Sequence, residues 1–103
     1  MEGAGNMQDS LFKILEFADG SKWLIIGQTL YNNETYKYLI GVTNDEEDLL
    51  DKYLLVKYYI KDNEEYITQV TDPKVSEPVM VQIMPEIKPI LNHKDEILEK
   101  LQA

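Results

Sequence analysis

The side chains that most often carry chemistry are scarce in this chain: cysteine and arginine are absent, and His93 is the single imidazole. Without cysteine there is no disulfide, no thiolate nucleophile and no cysteine-ligated zinc. A Ser-His-Asp relay would need Ser10, Ser21 or Ser76 to reach His93, and none of the three sits in the glycine-flanked turn that strains a nucleophile into the open. Paired carboxylates for acid–base work can be drawn in many ways from 19 Asp and Glu residues, so without a cleft they single out nothing. The five glycines are scattered, and none builds the loop of N–H groups that cradles a phosphate. Residues 44–52 (NDEEDLLDK) are acidic but lack the alternating oxygen ligands and central glycine that wrap a calcium ion. No catalytic, metal-binding or cofactor-binding residue is expected, and the chain reads as non-enzymatic.

What stands out instead is aromatic. Tyr36, Tyr38, Tyr53, Tyr58, Tyr59 and Tyr66 fall in neighbouring strand-like segments, and Tyr and Trp suit protein interfaces because a large apolar ring carries a polar tip. The sequence therefore nominates Trp23, Tyr36, Tyr38, Tyr58 and Tyr66 as partner-binding residues on one aromatic sheet face. The plainer reading of the tyrosines is packing at the rim of a thin sheet. A concave form of that face, with a pocket around Trp23 and the tyrosines, would bind a small ligand instead.

Charge narrows the partners. The net charge is −9, and all 10 basic residues are lysine. Phosphate backbones call for local positive charge and favour the guanidinium fork, so no nucleic-acid partner is expected. An acidic surface also repels anionic lipid. Charge of this sign keeps a small protein soluble. The sharper alternative is a prophage-encoded accessory protein that disturbs a DNA-binding protein electrostatically. Residues 1–10 have neither the basic nor the apolar region of a secretory signal. The longest uncharged stretch, residues 23–33, falls well short of the roughly 20 apolar residues that cross a bilayer. A soluble, cytoplasmic protein with no membrane partner is the expectation.

At 103 residues the chain suits one hydrophobic core. Residues 1–9 carry almost no large apolar side chain and are expected to form a disordered tail, leaving residues 10–103 as a single β-rich domain. Asp19-Gly20, Asn32-Asn33 and Asp62-Asn63 each separate runs rich in aromatic and β-branched residues, the signature of an antiparallel meander. Residues 10–17 and 22–26 make the first hairpin, with Trp23 and Ile25 on one face. Gly27 marks a bulge in a strand that continues to Tyr31. Residues 36–43 alternate cleanly, which turns Tyr36, Tyr38, Ile40 and Val42 inward and Lys37 toward solvent. A connection over residues 44–52 has room for a short helical turn capped by Asn44. Residues 53–60 then read as a central strand or one covered by the C-terminal segment, and 64–71 as an amphipathic edge strand.

All four prolines lie in residues 73–89 and argue against a continuous helix there. That leaves residues 79–84 (VMVQIM) as an extra edge strand or extended arm, where a second copy could pair to form a homodimer. Residues 94–102 close the chain as a short helix, with Ile97, Leu98 and Leu101 on one stripe, Glu96 and Lys100 as an ion pair, and Asn92 or His93 as cap. The expected fold class is α+β, mainly β: a twisted antiparallel meander of about five strands plus an extra edge strand, with one short C-terminal helix.

The order Ile14-Leu15-Glu16-Phe17 with Asp19-Gly20, then Trp23-Leu24-Ile25-Ile26, an Asn turn and Tyr36-Lys37-Tyr38-Leu39-Ile40 resembles small bacterial proteins, mostly from Firmicutes, of the family named domain of unknown function 1292. The resemblance spans residues 11–70, and the proline-rich segment beyond departs from that layout. It implies a bacterial source and a hairpin-strand-turn-strand order; it supplies no activity and no site residues. The expectation for function is a small acidic bacterial protein acting through protein contacts, by its sheet edge or its tyrosine face, with the partner unidentified.

Overall fold

The computed structural model describes residues 11–102, and the side chains within that span up to residue 99. The tail expected over residues 1–9, the Glu96 and Lys100 pair and the place of Leu101 on its stripe lie outside the described residues. Five strands run β1 (Ile14–Glu16), β2 (Lys22–Tyr31), β3 (Glu34–Val42), β4 (Leu49–Lys61) and β5 (Glu64–Gln69). They pair in chain order, each antiparallel to the next, as the meander pattern predicts. The two tightest turns explain why. Asn32 and Asn33 have φ of 51° and 65°, and Asp62 and Asn63 have 55° and 66°. A turn with both central residues left-handed matches the right-handed twist of the flanking strands, and short Asn and Asp side chains tolerate that conformation best after glycine. At Gly27 the register shifts by one residue, which is the expected bulge.

Residues 73–91 overturn one expectation. They form a single helix, α1 (Pro73–Leu91), followed by α2 (Lys94–Gln102), so there is no extra edge strand at residues 79–84 and no strand there for a second copy to extend. Pro73 occupies the first turn, where its missing N–H costs nothing, and the Asp72 side chain accepts the Lys74 N–H at 3.0 Å. Pro78, Pro85 and Pro89 are interior, but at roughly 100° per residue they fall within about 40° of one another on the helix circumference. That stripe points away from buried Val79, Ile83 and Ile87. Each proline leaves a carbonyl one turn back without its donor, yet those carbonyls belong to exposed residues, Lys74, Val81 and Pro85, where a lost hydrogen bond costs least. An interior proline costs about 3 kcal/mol. Against this, burying an aliphatic side chain gives about 1.5–3 kcal/mol, and α1 fully buries three, with Met80, Met84, Ile90 and Leu91 packed beside them.

The helices cover one face of the sheet, where Leu24, Ile26, Ile40 and Val42 meet Ile83, Ile87 and Ile97. Tyr36 and Leu55 extend that core beneath Val79. On the other face Ile25, Leu39 and Val56 pack with Leu15, Phe17, Trp23 and Leu54. Phe17 and Ala18 beyond one edge strand line the same hollow as Ile67 and Gln69 of the other, so the sheet curls and this second face is concave. Curling corrects the reading of Lys37: it faces away from the helices as expected, but the closing sheet leaves it 8% exposed rather than open to solvent. The helical turn expected after Asn44 is also absent. Thr43 and Asp45 hold the loop instead: the Thr43 hydroxyl donates to Asp45 at 2.6 Å and accepts the Asp48 N–H at 3.1 Å. The Asp45 carboxylate accepts the Glu47 N–H at 3.1 Å. With its loop so short, β4 starts at Leu49, opposite Val42, and continues as the expected central strand. Every residue of β5 is exposed, as befits an edge.

Candidate interaction surface

Register decides which aromatic residues can meet. Directly opposed residues share a face, so Tyr36 opposite Lys57, Tyr38 opposite Leu55 and Tyr66 opposite Tyr59 all project to the helix side. Trp23 and Tyr58 project to the concave side. The five nominated residues therefore do not form one aromatic face. Tyr36, 5% exposed, is core. Tyr38 stacks on Tyr53 with ring centroids 5.8 Å apart, and burial pushes its phenol above the ordinary tyrosine value. Trp23 stacks on Phe17 at 5.9 Å and donates its indole N–H to the Ser21 hydroxyl at 3.0 Å. Tyr58 lies under the Lys37 ammonium, 4.2 Å from ring centroid to nitrogen; burial first, then the Glu65 carboxylate, raises its pKa. Only Tyr66 belongs to an open surface. It stacks on Tyr59 at 5.4 Å and donates its hydroxyl to Glu64 at 3.0 Å.

That open surface is the β4–β5 hairpin. Helix α1 packs chiefly on β2, with Val75, Val79 and Met80 reaching as far as Tyr36 and Leu55, and beyond them the helix side of β4 and β5 opens into a hollow of about 560 Å³ lined by Tyr36, Lys57, Tyr59, Thr68, Val70 and Val75. Lys57 pairs there with Glu34 at 3.5 Å and sits 5.7 Å from the Tyr59 ring. At the edge, Ile60, Tyr66 and Ile67 are 63%, 38% and 37% exposed. Ile60 and Ile67 escaped notice in the sequence, although an apolar residue beside the Asp62-Asn63 turn and another in an edge strand were visible signals.

The turn also fixes the phase of the ladder. A two-residue turn makes its flanking residues, Lys61 and Glu64, a doubly hydrogen-bonded pair, and such pairs recur at every second residue. Glu64, Tyr66 and Thr68 thus aim their N–H and C=O groups at β4, and the Val70 N–H, donating to Leu55 at 2.9 Å, continues that phase. Glu65, Ile67 and Gln69 aim theirs outward, with no strand beside them among the described residues.

The remaining sites for chemistry stay apart. His93 sits between α1 and α2 and its Nδ1 lies 2.9 Å from the Pro89 carbonyl, which accepts its proton. Ser76 is almost the length of α1 away, about 25 Å at about 1.5 Å per residue. Among the described residues no group of three or more His, Cys, Asp or Glu is placed to hold a metal ion, and no helix is long and apolar enough to cross a membrane. No protein-family model matches the chain, and neither a curated protein nor a solved structure matches it.

Proposed function

We propose that this protein is non-enzymatic and acts through protein contacts made by strand addition at the free edge of β5, with a second copy of the chain as the occupant. The observation that carries this is the coincidence of outward N–H and C=O groups at Glu65, Ile67 and Gln69 with three exposed large apolar residues, Ile60, Tyr66 and Ile67. A long exposed edge with apolar side chains is a template for another strand. The acidic residues do not forbid self-pairing. An antiparallel pair related by a two-fold axis keeps each face continuous, so the axis must pass through a residue; centred on Tyr66, it sets Glu65 opposite Ile67 and Glu64 opposite Thr68. No two carboxylates then face each other, and the stacked Tyr59 and Tyr66 rings would extend into a ladder of four.

Sedimentation equilibrium over a wide concentration range tests this. The wild type is expected to self-associate, more strongly as salt screens the repulsion between two acidic chains. Ile67→Pro removes one outward donor and no bond to β4, a position where an edge strand tolerates proline, and should hold the chain monomeric with its fold intact by circular dichroism. A wild type that is monomeric at every concentration and salt would remove the second copy as occupant.

A further inference from the structure

The concave face holds a cation that makes no ion pair among the described residues. Lys37 is 8% exposed in the middle of β3, and no carboxylate among the described residues lies within ion-pair distance of it; the ion pairs among those residues, Lys22 with Glu46 and Lys57 with Glu34, leave it out. Its ammonium rests on the Tyr58 ring at 4.2 Å. A buried charge is costly unless paired, and a ring face compensates only part of that cost. Beside it runs a groove of about 550 Å³ whose floor is Leu54 and Val56 and whose walls are Phe17 on one side and Ile67 and Gln69 on the other. Val56 is the register partner of Lys37, so Lys37 stands on the next strand, on the same face as the groove floor.

We propose that this face binds a small apolar anion, with its tail along the groove floor and its head group at the Lys37 ammonium. The size of the groove is that of a small-molecule site, and one charged group at the end of an apolar channel is how such a site fixes orientation. Among the described residues, the other charges acting on Lys37 are Glu65, which lines the groove and competes with an incoming anion, and Lys13, which adds to the positive field. Trp23, the only tryptophan, stacks on groove-lining Phe17 and reports occupancy. The inference is independent of the β5 edge, because the one is read by fluorescence and the other by sedimentation.

Decanoate and uncharged decanol, each titrated below its micelle or solubility limit at neutral pH with Trp23 fluorescence as readout, test the proposal. Decanoate is expected to bind saturably with one molecule per chain and at least tenfold more tightly than decanol. Lys37→Met keeps the apolar stem and should erase that preference, while Glu65→Gln should tighten decanoate several-fold. Equal affinity for acid and alcohol on the wild type would overturn the proposal even if a variant failed to fold, as would a folded Lys37→Met that still prefers decanoate or an absence of saturable binding.

Discussion

Adding one methyl group at Gly27 should destabilise the protein, and the structure says which second change restores it. A Cβ at Gly27 would overlap Cγ2 of Ile87 and stand 3.4 Å from the nearest atom of Ile83. Carbon atoms in contact prefer about 3.5–4.0 Å, so Ile87 or the strand must shift. Ile87 cannot swing aside: it is fully buried, and a β-branched side chain in a helix has one strongly preferred χ1. Overpacking of this kind costs about 1–3 kcal/mol, and fewer unfolded conformations return about 0.4–1 kcal/mol when glycine becomes alanine. The expected net loss for Gly27→Ala is about 1.3 kcal/mol, a fall in Tm of about 5–10 °C for a domain of this size. Ile87→Leu removes the Cγ2 branch, whereas Ile87→Val keeps it. In a double-mutant cycle by thermal or urea denaturation, Gly27→Ala with Ile87→Leu should show a favourable coupling of about 1 kcal/mol or more, and with Ile87→Val a coupling near zero. A neutral Gly27→Ala, or equal rescue by both partners, would refute the close packing of α1 on the bulge.

The other outcomes divide core from surface and acid from base. Tyr36→Ala should cost about 3 kcal/mol as a core truncation, while Tyr66→Ala should cost about 1 kcal/mol or less, the worth of a stacked pair, and weaken self-association; urea melts and sedimentation separate the two. Hydrogen bonds from Thr43 and the Glu47 amide hold the Asp45 carboxyl below its ordinary value, so it contributes stability above that value that is lost as pH falls through the lowered one. Asp45→Asn should therefore flatten the acid limb of a stability–pH curve. Burial holds the Lys37 ammonium below its ordinary value, so the unfolded chain binds more protons in the window between the two values and stability from this residue rises with pH there. Denaturation at pH 7 and at pH 10 should show a smaller alkaline gain in Lys37→Met than in wild type.

The strands were readable because their punctuation has a local cause. Asn32-Asn33 and Asp62-Asn63 can hold two consecutive left-handed residues, which fixes both hairpins and their registers without tertiary information. The helix α1 was hidden by treating each proline as a breaker. Its spacing told otherwise, since Pro78, Pro85 and Pro89 share one stripe and Val79, Ile83 and Ile87 another, but whether the outer stripe meets water depends on the sheet beneath. Alternation placed Lys37 opposite the tyrosines correctly. Nothing in the alternation states that the sheet curls, which is what buries it. The aromatic nominations failed as a single face for a related reason: which of Tyr58 and Tyr59 joins Tyr36 depends on the β3–β4 register, set across a loop that the sequence made too long.

Amide hydrogen exchange along β5, followed by NMR as protein concentration rises, tests the free-edge account most directly. In dilute solution the amides of Glu65, Ile67 and Gln69 should exchange quickly while those of Glu64, Tyr66 and Thr68, bonded to β4, are protected. At high concentration the first three should become protected and the second three should change little. Unaltered exchange at Glu65, Ile67 and Gln69 under conditions where the chain associates would place the contact elsewhere and contradict the account.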